Sequence, residues 1–430
     1  MLTMKTALIN GILLNGCADM TPQRGKTVLI RGRKIEAIVP GSDPVPAGYE
    51  VVDLAGKYLL PGLINLHVHL PSSGRPKKKE SDPARLVRFV ISNPVTRWVL
   101  FRLCASMART QLLSGVTTIR TVGGVLDVDA RIRDAIRAGK LTGPRILCAN
   151  TAISVPGGHM VGSVAYAAKS IEECVRLVDQ VADEGVDLIK LMITGGVLDA
   201  TEKGEPGVLR MPPEMVRAAC DEAHRRGLIV AAHVESPEGV RVALRNGVDS
   251  IEHGAKPDEE ILRLFRERKA FHVATISPAL PFALFDRSVS HASEMAQYNG
   301  TGVVEGVVEC AKACLQSGIP VGLGTDTGCP YVTHYDMWRE VNYFQKYCGV
   351  SNAFALYTAT KRNAELLGLG SVTGSVEVGK EADLIAVEGN PLEDLTVLRS
   401  VSMVMSRGRR IDCPRVKKMP QVEKALDRYL

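Results

Sequence analysis

The sequence predicts an α/β protein, a (β/α)8 TIM-type barrel with a small β-sandwich domain built from both chain termini. Two patterns lead to this prediction. Short apolar runs recur through the middle of the chain with amphipathic stretches between them, and β-prone runs separated by turns occupy both ends. The length of 430 residues is sufficient for one large barrel and a smaller domain.

Eight apolar runs in the central region have the length of buried strands, and the stretches between them carry the 3.6-residue apolar period of helices. The predicted strands are Leu63–His69, Thr117–Thr121, Arg145–Ala149, Asp187–Met192, Leu228–His233, Ser250–His253, Phe271–Thr275 and Val321–Thr325. The clearest predicted helices are Ile171–Glu184, Pro213–Arg226, Pro237–Asn246 and Pro257–Lys269. This alternation favours a barrel of parallel strands. Consecutive Rossmann domains are the competing architecture, but no Gly-x-Gly-x-x-Gly follows any of these runs.

The two β-rich ends have a composition of their own, which sets the expected domain boundaries. Residues 1–58 and 371–430 are predicted to build the accessory β-sandwich together, and residues 59–370 the barrel. Residues 71–98 form an insertion after the first barrel strand, with Arg75, Lys77, Lys78 and Lys79 close together. A solvated loop is the favoured interpretation of this insertion, and a lid that attracts an anionic group is the alternative.

The bulk composition bears on partners and on location. A net charge of +6 and an aromatic content of 5% argue against a nucleic-acid partner. No apolar run reaches the roughly 18 residues of a membrane span, so no membrane partner is expected. Ten scattered cysteines and the lack of a secretion signal indicate the cytoplasm. The partner expected is a small-molecule substrate, and self-association is left open.

His67 and His69 are the most informative pair of residues in the chain. They end an apolar run, and residues two apart on a strand project from the same face. Two imidazoles converging from rigid backbone form half of a site for a first-row metal ion. Two ordinary histidines at a strand end explain this pair equally well when it is considered alone.

Other polar residues also stand where predicted barrel strands end. They are Lys190 in the fourth strand, His233 at the end of the fifth, His253 at the end of the sixth and Asp326 just after the eighth. In barrels of this kind, chemistry collects at the carboxyl ends of the strands. The sequence therefore predicts that these residues and the histidine pair share one site.

Lys190 is the unusual member of this set because apolar residues flank it. A buried ammonium is costly unless it is paired, and burial among cations lowers the pKa of the amine. A neutral lysine amine can take up carbon dioxide to form a carbamate, an anionic ligand with two oxygen atoms that bridges two metal ions. A lysine that extends to solvent or pairs with an acid is the alternative.

The ordered motifs Leu-His-Val-His, Leu-Ile-Lys, Ala-Ala-His-Val, Ile-Glu-His-Gly and Gly-Leu-Gly-Thr-Asp resemble the amidohydrolase superfamily over nearly the whole chain. Gly157-Gly-His159, Lys190-Leu-Met-Ile-Thr-Gly-Gly196 and Gly389-Asn-Pro-Leu-Glu-Asp394 are most similar to its prolidase-like, imidazolonepropionase-related metal-dependent carboxypeptidases. The resemblance implies two divalent ions, with zinc as the expected metal. It implies one ion on His67, His69 and Asp326, the other on His233 and His253, and carbamylated Lys190 and a hydroxide between them. Asp326 would be the general base.

Substrate-binding residues are predicted from the loops that follow the strands. The family counterpart of His159 faces the substrate, so His159 is predicted to donate to the scissile carbonyl oxygen or to a carboxylate, although a structural loop histidine fits the same position. His334 and Tyr335 follow Asp326 and are predicted specificity residues, with solvent-exposed rim residues as an equal alternative. Arg210 lies in a segment, residues 207–214, where this sequence departs from the usual family pattern, and it is a candidate carboxylate clamp.

The function predicted from these residues is hydrolysis of an amide C–N bond, with a dipeptide or an N-acyl amino acid as substrate. A cyclic amide hydrolase or a deaminase of the same superfamily is the second interpretation, and Lys190 argues against a mononuclear deaminase. A non-catalytic scaffold is the third, and it predicts missing ligands, whereas all six are present.

Overall fold

The computed structural model describes residues 4–76, 82–197 and 200–430. The strands are β1 Lys5–Leu13, β2 Gln23–Arg31, β3 Lys34–Pro40, β4 Glu50–Asp53, β5 Tyr58–Pro61, β6 Leu63–Val68, β7 Val116–Thr121, β8 Arg145–Cys148, β9 Ala152–Ser154, β10 Ala165–Ala167, β11 Leu188–Met192, β12 Ile229–Val234, β13 Ser250–His253, β14 Phe271–Ala274, β15 Val321–Leu323, β16 Leu384–Val387, β17 Val401–Ser406 and β18 Arg409–Asp412.

The helices are α1 Pro83–Ile91, α2 Pro94–Leu113, α3 Val128–Arg137, α4 Ile171–Asp183, α5 Pro213–Arg225, α6 Pro237–Arg245, α7 Glu259–Arg268, α8 Leu280–Leu284, α9 Arg287–Ser290, α10 Glu294–Gln316, α11 Met337–Cys348, α12 Asn352–Tyr357, α13 Asn363–Leu366 and α14 Pro420–Leu426. A π-helical turn spans Thr358–Arg362, and 3₁₀ turns span Leu395–Arg399 and Asp427–Tyr429. No helix among the described residues combines the length and apolar character needed to cross a membrane.

The chain divides into two compact units. The first contains Met1–Asn65, Arg109–Ile119 and Tyr335–Lys418, and the second contains Leu66–Ala108, Arg120–His334 and Met419–Leu430. The predicted division into residues 59–370 and the two chain ends stays a prediction.

The first unit contains a mixed sheet to which both ends of the chain contribute. Its strand order is β18-β17-β16-β5-β1-β2-β3, with β4 paired to β1. β16, which follows about 320 residues after β5, pairs with it in antiparallel register. A core that includes Leu8, Val28, Leu59, Leu384 and Met405 is buried on this sheet, and this burial supports the pairing of distant segments.

The second unit is built on a parallel sheet of seven strands in the order β10-β9-β11-β12-β13-β14-β15, and strands β6, β7 and β8 form a further sheet. All eight runs predicted as barrel strands form strands, which confirms the α/β alternation. Backbone hydrogen bonds extend between the sheets at two places. Asp326 N donates to His67 O at 2.9 Å, and Asp187 N donates to Cys148 O at 2.8 Å.

The helices that alternate with these strands begin at residues that cap them. Ser170 and Ser236 accept a hydrogen bond from the backbone of the first turn of α4 and of α6. Asp258 caps α7 in the same way. This helix therefore begins at Glu259, two residues after the predicted start at Pro257. Part of the insertion after the first strand was also predicted wrongly. Its residues 83–91 and 94–98 are helical rather than loop, and Lys77, Lys78 and Lys79 lie outside the described residues.

Candidate metal centre

The first three predicted ligands meet at one point. His67 lies on β6, His69 follows that strand, and Asp326 follows β15. Asp326 Oδ1 lies 3.1 Å from His69 Nε2 and 3.5 Å from His67 Nε2. His69 Nδ1 donates to the carbonyl oxygen of Gly123 at 2.8 Å, which leaves Nε2 facing the carboxylate. The arrangement presents two imidazole nitrogens and a carboxylate oxygen to the same small volume.

His233 and His253 extend this cluster. The ring centroid of His253 lies 4.6 Å from that of His233 and 4.9 Å from that of His67. Ligand atoms of His67, His253 and Asp326 lie within 4.8 Å of one another, as do those of His233, Glu235 and His253. His253 therefore belongs to two overlapping groups, each of which is dense enough to hold a metal ion.

Two of these residues have strained backbones. His253 has a φ of 66° and Asp326 a φ of 53°, in the left-handed region that residues with a β-carbon seldom adopt. On β13 the residues Glu252 and His253 would otherwise face opposite sides of the sheet. The left-handed turn at His253 allows both side chains to reach the interior. Such strain concentrates at functional sites, where the surrounding structure enforces it.

Burial keeps the imidazoles of His67, His233 and His253 neutral. Burial lowers the pKa of His67 to about 4 and the pKa values of His233 and His253 well below their usual range, and neighbouring positive groups add to this effect. Burial alone would raise the pKa of Asp326, but the imidazoles of His67 and His69 hold it well below its usual range. Neutral imidazoles and an ionised carboxylate are the forms in which these residues bind metals.

The amine of Lys190 is buried beside this cluster without a hydrogen-bonding partner among the described residues. Lys190 pairs with Ala231 across the ladder from β11 to β12, and Met192 pairs with His233. Because side chains two apart share a face, Lys190 projects to the same side as His233. Burial lowers the pKa of Lys190 to about 8, although the charge of Glu252 opposes this shift.

Glu252 and Arg120 form part of the site that the sequence analysis did not assign. Glu252 Oε2 accepts a hydrogen bond from His67 Nδ1 at 2.8 Å, and Glu252 Oε1 accepts one from Arg120 at 2.7 Å. Glu252 and Arg120 are both fully buried. Glu252 therefore fixes the ring of His67 with its Nε2 lone pair directed at the cluster. The available sequence signal was a charged residue inside a predicted buried strand, which Glu252 shares with Lys190.

The variant Glu252→Gln is expected to lower zinc affinity about 10- to 100-fold, because the amide cannot accept from both His67 and Arg120. It should also lower the melting temperature, since Arg120 would lose the buried anion that balances its charge. Chelator competition without substrate measures the affinity. Ser250→Ala, which removes a hydroxyl contact to Glu252 and leaves His67 bonded, is the matched control. Equal affinities in the two variants would contradict this role.

A pocket opens on the cluster from the loops that follow the strands. It is lined by His159, Val197, His233, Glu235, Pro278, Ala279, Phe282, Val303, Asp326 and Cys329. Its lining therefore combines polar side chains, among them Asp326, with apolar ones. The ring of His159 stacks on that of His233 with centroids 4.2 Å apart and planes at 11°. His159 thus lies beside the cluster and lines the pocket.

The remaining predicted substrate residues have other surroundings. The guanidinium of Arg210 pairs with the buried carboxylate of Glu205 and is 35% exposed. His334 is buried and hydrogen-bonds through Nε2 to the carbonyl oxygen of Ser72 at 2.7 Å. Tyr335 is buried and belongs to the first unit. The substrate roles of Arg210, His334 and Tyr335 stay predictions.

The chain is similar in sequence and structure to known hydrolases. Residues 58–411 match the Amidohydrolase family. An ochratoxinase of Aspergillus niger is 26% identical over 93% of this chain and 84% of its own length. The crystal structure of a protein of Bifidobacterium longum assigned as a prolidase is 36% identical, with a TM-score of 0.87 over 100% of this chain and 99% of the other. The structure of a Xaa-Pro dipeptidase with bound methionine in the active site is 31% identical. Its TM-score is 0.83, and the match covers 95% of this chain and 100% of the other.

Proposed function

The chain belongs to the amidohydrolase family of hydrolases acting on carbon–nitrogen bonds, and from this premise we propose that it is a binuclear zinc enzyme that cleaves the amide bond of a dipeptide or an N-acyl amino acid. The observation that carries the proposal is the Lys190 amine, which is buried beside the histidine cluster and has no hydrogen-bonding partner in the described part of the chain. Burial without a hydrogen bond makes the charged amine costly in that position, whereas a neutral amine converted to a metal ligand would avoid this cost.

The donor set fits two zinc ions. His67, His69 and Asp326 would hold one ion, and His233 and His253 the other. Lys190 would bridge them as a carbamate. In that reaction the neutral amine nitrogen forms a bond to the carbon of carbon dioxide and loses a proton to solvent, which leaves an anion with two ligand oxygens.

When bound, the metal ions would make a water molecule nucleophilic near neutral pH and polarise the carbonyl group of the substrate. Asp326 is the base that takes the proton of the attacking water and returns it to the leaving nitrogen, and its ionised state suits this role. The apolar lining residues Pro278, Ala279 and Phe282 would contact an apolar group of the substrate and restrict access of bulk water.

His159 is proposed to donate a hydrogen bond to the scissile carbonyl oxygen or to a substrate carboxylate, because it lines the pocket beside His233. The variant His159→Asn is expected to lower kcat/KM about 10²- to 10³-fold without loss of bound zinc, since His159 is not a proposed ligand. Steady-state kinetics with metal analysis of the same sample measures both quantities. His224→Asn, which alters an exposed histidine paired with Asp249, is the control. Unchanged kcat/KM would remove His159 from the mechanism.

The test of the proposed function combines metal analysis with a substrate panel. Protein purified with zinc should contain about two zinc ions per chain and should release the C-terminal amino acid from dipeptides or N-acyl amino acids. Cyclic amides in the same panel distinguish the ring-opening alternative. About one ion per chain with amine release from a ring would favour a deaminase, and activity on cyclic amides alone would also contradict the proposal.

The proposed function is accompanied by a proposed barrel fold and a proposed cellular location. We propose that the strands β6 to β8 and β11 to β15 close into a (β/α)8 barrel. The hydrogen bonds from Asp326 to His67 and from Asp187 to Cys148 support closure, because they join the two sheets at both sides. The protein is proposed to act in the cytoplasm, which its ten scattered cysteines support.

A further inference from the structure

We propose that Glu235 binds the free amino group of the substrate, so that the enzyme cleaves dipeptides in preference to N-acyl amino acids. This inference rests on the proposed function and names the substrate class within it. Glu235 follows β12 two residues after His233 and lines the pocket, and the proposed set of metal ligands does not include it.

The carboxylate of Glu235 lies beside the metal cluster. One of its oxygens is within 4.8 Å of a ring nitrogen of His233 and of one of His253. A zinc ion on these two histidines would complete a tetrahedral set with the Lys190 carbamate and the hydroxide, so it does not require Glu235 as a ligand. The position of Glu235 instead suits contact with the part of a substrate that lies next to the bond being cleaved.

The charged side chains of the pocket suit a cationic group on the substrate. Among the described residues that line it, Glu235 and Asp326 are carboxylates, and none is a lysine or an arginine. Asp326 is a proposed zinc ligand, so the metal would balance its charge. Arg210, the predicted clamp for a substrate carboxylate, pairs with Glu205 and is not one of these lining residues. The charge that the pocket presents to a substrate is therefore that of Glu235, and a carboxylate forms a strong hydrogen bond with an ammonium group.

The amino group of a dipeptide lies at a suitable distance from its scissile bond. In an amino-acyl group, one carbon atom separates the amino nitrogen from the scissile carbonyl carbon, which sets these two atoms about 2.5 Å apart. A carbonyl group held at the histidine cluster therefore brings the ammonium close to Glu235, whose carboxylate is only a few ångströms from the imidazoles. An N-acyl amino acid has no amino group at this point and would offer this carboxylate no opposite charge.

The backbone around Glu235 is held in place from two sides. Its amide nitrogen donates to the hydroxyl group of Thr194 at 3.1 Å, and Thr194 is fully buried. The hydroxyl group of Ser236 donates to the carbonyl oxygen of Gly207 and accepts from Gly239 N at 3.1 Å, as the cap of α6. A β-carbon at Gly207 would lie 2.6 Å from the carbonyl oxygen of Glu235, so this close approach requires glycine. A side chain on such a fixed backbone discriminates well between substrates, because binding requires little further ordering.

Equilibrium binding tests the inference without turnover. L-Alanine hydroxamate and propionohydroxamate both contain a zinc-binding hydroxamate and differ only in the amino group. Calorimetric titration of the zinc-loaded full chain should give a Kd about 10- to 100-fold lower for L-alanine hydroxamate. Glu235→Gln should bring this ratio close to one and keep about two zinc ions per chain. Glu238→Gln, which alters an exposed glutamate of α6, is the matched control and should keep the wild-type ratio.

Three results of these titrations would overturn the inference. Equal affinities of the wild type for the two hydroxamates would show that the pocket does not recognise the amino group. An unchanged ratio in Glu235→Gln would assign the amino group to another partner, such as the zinc ions. Loss of a zinc ion from Glu235→Gln would make Glu235 a metal ligand.

Hydrolysis of matched substrates separates a failure of this inference from a failure of the proposed function, and it does not depend on a variant. N-Propionyl amino acids are alanyl dipeptides that lack the amino group. Across a series of C-terminal residues, the wild type should cleave the alanyl compounds with a kcat/KM about 10- to 100-fold higher. Equal cleavage of both series would overturn the inference and leave the proposed function in place. Cleavage of neither series would overturn both.

Discussion

Lys190→Met is expected to lower kcat/KM about 10³-fold or more and to reduce the bound zinc from about two ions to about one per chain. Methionine has nearly the same length and apolar stem but cannot form a carbamate. The loss would follow from the missing bridge and not from an altered fold, because the lysine amine makes no hydrogen bond to any residue that the structure describes.

In the metal-free protein, the same variant is expected to be more stable than the wild type. Removal of a buried, unbonded amine should raise the melting temperature of the metal-free form, because the desolvation cost of the ammonium disappears. Lys380→Met is the matched control, since the Lys380 amine is also buried but has Ser375 and Glu377 as partners. That variant should lose stability and keep its zinc. A Lys190→Met protein that keeps two zinc ions and full activity would refute the bridging role.

Asp326→Asn is expected to lower kcat about 10²- to 10⁴-fold with a smaller change in KM, because asparagine matches the size of aspartate but cannot accept the proton of the attacking water. The expected loss of zinc affinity is smaller, since the amide oxygen can still act as a ligand. Measurements at saturating zinc separate the two effects, and the pH profile of kcat should lose the dependence that reports the base.

The control for Asp326→Asn is Asp129→Asn. Asp129 is also a buried carboxyl of the second unit, but it does not line the pocket, and burial raises its pKa to about 6. Removing its charge should therefore leave kcat unchanged. The variant should be at least as stable as the wild type, because burial disfavours the charged carboxylate. If Asp326→Asn retained more than about a tenth of kcat with an unaltered pH profile, the general base would have to be another group.

Much of the secondary structure followed from the sequence because local patterns determine it. The eight central apolar runs all became strands, and the helices from α4 to α7 lie within a few residues of their predicted limits. The error in the insertion after β6 has a physical origin. The basic residues of this segment suggested a solvated loop. Asp82 and Asn93, however, accept hydrogen bonds from the backbone of the first turns of α1 and α2 and so allow these helices to begin.

The site was only partly predictable. The residues brought together by the structure stand where apolar runs end, so their positions could be found without coordinates. Glu252 could not be assigned in this way, because on a regular strand a residue next to His253 faces the opposite side of the sheet. The left-handed backbone at His253 removes that restriction, and nothing in the local sequence indicates it.

The sequence by itself determined which residues are available for chemistry, because a polar side chain at the end of an apolar strand can be recognised from its immediate neighbours. The tertiary structure alone decided which of them touch. The contact of Glu252 with His67 joins residues 185 positions apart, and the isolation of the Lys190 amine depends on every chain segment around it. Both contacts depend on how distant elements pack against one another, and a local sequence pattern contains no information about that packing.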